Sequence, residues 1–76
     1  MAKQDELKRL LRNAAHAKGK ALSETELNQA ADALVKKAAV SRQELDVLSE
    51  SITHDRQTFA VVDIGDINDI LARKKD

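Results

Sequence analysis

Ser23-Glu24-Thr25-Glu26 and Ser41-Arg42-Gln43-Glu44 are the two stretches on which the fold turns. In each, a Ser precedes a Glu by three residues. The hydroxyl can accept the amide of the third helical position while the carboxylate reaches back to the Ser amide, so each stretch reads as the start of a helix. After the first, Leu27, Ala30, Ala31, Leu34 and Ala38 recur at helical spacing; after the second come Leu45, Leu48 and Ile52. The reading is a helix over 23–38 and another over 41–53, with only Ala39 and Val40 between them. So short a connection forces a sharp corner or an antiparallel hairpin. The Ala-rich face of the earlier helix is flat and admits a second helix at close range.

Working outward, Leu7, Leu10, Leu11, Ala14 and Ala17 mark one face of a helix over 3–18 that stops at Gly19. Arg9, Arg12 and His16 fall on its opposite side. Past Ile52, the run from Thr53 to Thr58 is polar and aperiodic, a loop. Phe59-Ala60-Val61-Val62 is β-prone, so residues 58–62 are expected to be a short strand or a core-plugging extended segment. Gly65 supplies a turn. Asp66 then caps a last helix over 66–74, with Ile67, Ile70 and Leu71 inward and Arg73-Lys74-Lys75 fraying. The expectation is an all-α single domain over 1–76: a small bundle of three main helices plus a short C-terminal one.

The composition narrows the function classes. The 76 residues include no Cys, Pro, Trp or Tyr and one Phe. Without Cys there is no disulfide framework, thiolate zinc site or cysteine nucleophile. The longest large-apolar stretch lies around Phe59 to Val62, far short of the ~20 residues a membrane span requires. The N-terminus lacks the apolar core of a secretion signal, so a cytoplasmic protein is expected.

Of the hydrophobic residues, 12 are Ala and 20 are larger. The cost of ordering the backbone consumes nearly all that so small a core returns. Burying one more apolar face against a second copy or a partner would help.

Thirteen basic residues balance thirteen acidic ones, which argues against coating nucleic acid by bulk charge. The balance is uneven along the chain. Residues 1–20 carry six basic side chains against two acidic, whereas 21–55 carry three against seven. Either the first helix lies across the acidic middle and the fields cancel, or its basic face meets phosphate or an acidic partner.

The stretch from Ala33 to Leu48 resembles the helix-turn-helix core of bacterial and phage repressors. Ala39, Val40 and Ser41 match the turn, and Leu45 and Leu48 match the inward positions of the second helix. The resemblance implies Arg42 and Gln43 toward base edges, beside Ser41 opening the recognition helix, with Lys36 and Lys37 near phosphates. The sequence departs from the pattern at Ala39, where Gly is usual, and at Val35, where a small residue allows close crossing. It departs again at Glu44, Asp46 and Glu50, which a polyanion repels.

Chemistry-bearing constellations are few. His16 and His54 lack metal-ligand spacing, and Asp55 beside His54 reads as part of a solvated loop. Asp63, Asp66 and Asp69 are three apart, not the alternate spacing of a calcium loop, and capping explains them more simply. Gly19 and Gly65 make no phosphate loop. An enzyme is not expected, nor a metal, cofactor or small-molecule substrate.

What remains is protein recognition. Phe59, Val61, Val62, Ile64, Ile67, Ile70 and Leu71 form the most apolar part of the chain. They either close its own core or insert into another chain. The expected function is that of a small cytoplasmic accessory or regulatory protein, bacterial or of phage or plasmid type in style. It would act through protein–protein contacts as a homodimer; the alternative is a helix-turn-helix DNA-binding regulator.

Overall fold

The computed structural model describes residues 3–73. They form four helices, α1 Lys3–Ala17, α2 Glu24–Val35, α3 Arg42–Thr53 and α4 Ile64–Ala72, with no strand among the described residues. Lys74 and Lys75, within the end expected to fray, lie outside the described residues.

The helix ends show why these segments form where they do. The α1 helix closes in a Schellman turn: Lys20 donates to the Ala15 carbonyl at 2.8 Å and Gly19 to that of His16 at 3.0 Å. Gly19 takes the positive φ of 74° that this turn requires. Both capping boxes form in full. Glu26 N–H donates to Ser23 Oγ at 3.1 Å and Glu44 N–H to Ser41 Oγ at 3.2 Å, and each Glu carboxylate accepts the Ser amide in return. At the other end of α3, His54 adopts left-handed geometry (φ 59°) and donates its amide to the Glu50 carbonyl at 2.8 Å.

Two helix boundaries and one connecting segment differ from the sequence expectation. The α2 helix ends at Val35, not near Ala38, so six residues and not two separate it from α3. Ala38 and Ala39 are exposed and have no core to bury against, whereas Val40 is buried and the chain must leave the helix to deliver it. Asn68 of α4 secures that delivery. Its side chain accepts the Val40 amide at 2.9 Å and donates to the Val40 carbonyl at 3.1 Å.

The last helix is capped by Asp63, whose carboxylate accepts Gly65 N–H at 2.8 Å, and not by Asp66. The glycine read as a turn is therefore part of the first helical turn.

Residues 58–62 are not extended. They belong to successive tight turns in which Ala60 donates to Gln57 and Val62 to Phe59, each at 3.1 Å. A lone strand would leave its backbone groups unpaired, and the turns satisfy them locally.

The core is one cluster fed by every element: Leu7, Leu11 and Ala14 from α1; Leu27, Ala30, Ala31 and Leu34 from α2; Val40 and Leu45; Phe59 and Val62; Ile67, Ile70 and Leu71 from α4. The α1 helix packs most extensively on α2, and α2 makes a smaller contact with α3. Small side chains let the two axes approach closely. α1 and α2 run antiparallel, Gln4 bonding Asp32 at one end while Lys8 reaches Glu24 at 2.6 Å at the other. α4 lies antiparallel along the other flank of α1, where Lys3 Nζ donates to the Arg73 carbonyl at 2.8 Å and Arg73 pairs with Glu6.

Candidate interaction surface

The apolar segment proposed as an interface is largely spoken for by its own domain. Phe59 and Ile67 are fully buried, Val62, Ile70 and Leu71 nearly so, and Ile64 is half-buried against them. Only Val61 faces outward, 53% exposed. The segment thus closes the domain's own core, presents Val61 to solvent, and reaches the surface at Val62 and Ile70 only where they line a shallow hollow. With one aromatic and few large aliphatics elsewhere, the domain needs the other six to fill its centre.

The DNA-contacting set is also dispersed. Arg42 does not project from α3. Its guanidinium folds back and donates to the Phe59 carbonyl at 2.9 Å and to that of Val62, stitching the turns to the helix. Ser41 is occupied as a cap, and Lys37 Nζ bonds Glu44 at 2.9 Å, holding that carboxyl below its usual range. Gln43 and Lys36 are exposed.

The charge segregation resolves in the quieter of the two ways. Lys8 and Arg12 both meet Glu24, and Lys20 meets Asp55 at 3.2 Å, so three cations of the first segment pair with carboxylates of the acidic middle. The Lys8 hydrogen bond lowers the Glu24 pKa. Asp55 is lowered by the Gln57 amide first and by Lys20 second.

The two histidines are exposed and apart in sequence and role: His16 sits in the last turn of α1, and His54 ends α3. Beside His54, a buried hydroxyl group completes the turn. Ser49 Oγ donates to the Asp55 carbonyl at 2.6 Å, Thr58 Oγ1 shares that acceptor, and Thr53 and Thr58 hydroxyls meet at 3.0 Å. Each hydroxyl has a structural partner, so the group closes a helix and holds no activated nucleophile. Among the described residues no group of three or more His, Asp or Glu is placed to hold a metal ion, and no helix is long and apolar enough to cross a membrane.

The surface does carry one shaped feature, a groove between α1 and α4. At one end lies a trough of about 360 Å³ floored by Leu10, Ala14, Ala17, Val61 and Val62, with Asn13, Asp63 and Asp66 along its edges. Leu10 and Asp66 continue it into a second hollow of about 240 Å³, charged where the first is apolar, lined by Glu6, Arg9, Asp69, Ile70 and Arg73. The Glu6–Arg73 pair closes that end and lowers the Glu6 pKa. Sequence reasoning missed this groove because its walls come from residues some fifty apart, each ordinary in its own helix. Ala17 and Val61 are its local traces: a small residue and a large one, both left outside.

No family model matches the chain, and no curated protein or solved structure shows a significant match to it.

Proposed function

We propose that this is a small non-enzymatic accessory or regulatory protein that works in the cytoplasm through protein–protein contacts, as a homodimer. The observation that carries the reading is the α1–α4 groove, whose larger hollow has an apolar floor open to solvent. Apolar surface left uncovered on so small a domain favours association over hydration. Polar side chains elsewhere are engaged in caps, staples and ion pairs and do not converge on a reacting centre. The DNA-binding alternative loses its principal base-reading residue, since Arg42 is committed to the chain's own carbonyls.

Sedimentation over a concentration series, with and without duplex DNA at low salt, tests the reading. The expected mass approaches twice the 8.4 kDa of the chain and does not change with DNA. A monomer that co-sediments with DNA, and releases it as salt rises, would overturn it.

A further inference from the structure

We propose that residues 36–40 are a hinge held bent by Asn68. When this clip opens they wind into helix, join α2 to α3 in one rod, and let α3 and α4 pack on α1 and α2 of a second copy. The device is separate from the α1–α4 groove and does not require it.

The link is out of step with its own sequence. Lys36, Lys37, Ala38 and Ala39 are exposed, and Ala and Lys rank among the good helix formers. Neither Gly nor Pro occurs between Gly19 and Gly65, so no residue of the link bars a helix from running through it. Lys36 keeps right-handed helical backbone (φ −75°, ψ −7°), so the chain leaves the course of α2 only after it. The bend is fixed from outside. Val40 is drawn into the core, and the Asn68 side chain of α4 accepts its amide at 2.9 Å and donates to its carbonyl at 3.1 Å.

In a reciprocal exchange, the contacts of α3 and α4 with α1 and α2 are remade between copies, so the core cancels from the comparison. What differs is the two links. Each gives up the burial of Val40, its bonds to Asn68 and the Ser41 cap, and gains unbroken helical hydrogen bonding from α2 into α3. A substitution in the link therefore counts twice in the dimer. Exchange also requires α3 and α4 to leave one core before they join another, so it is slower than the docking of two finished surfaces.

Three variants bias the link while leaving the buried side chains in place. Asn68→Ala opens the clip, and Ser41→Ala removes a cap that serves only the bent form. The pair Ala38→Gly and Ala39→Gly weakens the rod at two exposed positions. Each protein is melted and cooled at high concentration, and the products are separated by size. The dimer share is expected to rise roughly fivefold or more in Asn68→Ala and Ser41→Ala. It should fall roughly tenfold or more in the paired Gly variant.

The path of the chain is read from spin labels on Thr25→Cys and Ser51→Cys of one copy, diluted among unlabelled copies. Both positions are exposed, and the chain has no Cys of its own. In a continuous helix the two backbones lie about 39 Å apart. The longest dimension of the folded chain is 32 Å, so the rod gives a separation that the bent form does not reach.

A dimer whose labels stay closer than that dimension overturns the exchange and leaves association through the surface standing. A Ser41→Ala protein that refolds with its helical circular dichroism intact and yields no dimer also overturns it. So does a paired Gly variant that dimerises as readily as the wild type.

Discussion

The guanidinium of Arg42 directs two N–H groups at carbonyls 17 and 20 residues further along the chain. It thereby ties the first turn of α3 to the turns that carry Phe59 and Val62. Hydrogen bonds from a charged donor to part-buried acceptors are worth about 1.5–3 kcal/mol. Arg42→Ala should lower unfolding stability by about that amount in urea titration, and Arg42→Lys should recover only part, since a single ammonium lacks the planar fork. Individual residues were legible in the sequence where their partners lie within one helical turn, as with Ser23 and Glu26 or Ser41 and Glu44. Arg42 and Asn68 were not. Their acceptors and donors are main-chain groups 17–28 residues away, and any sequence would supply those. The same separation explains why Arg42 reads as an exposed recognition residue when only its neighbours are considered.

Among the elements, α2 is the best example of what periodicity can and cannot determine. Its Ala face was evident from spacing, and Ala30 and Ala31 are indeed fully buried. Which helix α2 packs against most depends on tertiary closure, and its larger contact is with α1. Ala31→Leu should therefore over-pack the centre and lower stability by about 1–3 kcal/mol. The measurement is a thermal melt set beside Ala38→Leu, which lies outside the helix on exposed chain and should be close to neutral.

The misplaced ends have a common cause. Helix propensity runs on through Lys36, Lys37 and Ala38, but the requirement to bury Val40 cuts the helix short. Likewise Phe59 to Val62 has strand propensity without a strand to pair with, and turns prevail. The groove lay beyond sequence reading for a related reason: a depression exists only once two helices are side by side.

At the scale of the whole molecule, the ion pairs set the acid limit. Glu24, Glu44, Glu6 and Asp55 all have folded pKa values below their ordinary 4.5 or 3.8, through bonds to Lys8, Lys37, Arg73 and the Gln57 amide respectively. The folded chain therefore binds fewer protons than the unfolded one across that range. Their contribution is present in full above the ordinary values and is lost as pH falls through the lowered ones. The melting temperature should be level down to about pH 5 and decline below about 4.5. Added salt should flatten the decline for the exposed pairs but spare the part owed to Asp55 and its backbone donor. A melting temperature indifferent to acid would contradict the pairing.

The clasp of Lys3 on the Leu71 and Arg73 carbonyls joins positions separated by nearly the whole described chain. Loop-closure entropy grows with the logarithm of such a span, and its return comes only when α4 exists. During synthesis, α1 and α2 can pair as soon as both have emerged. The centre nonetheless stays open to water until residues 64–72 clear the ribosome. Completion of this fold thus waits for α4, and a ribosome stalled before Ile64 would hold a nascent chain with its apolar interior still unsealed.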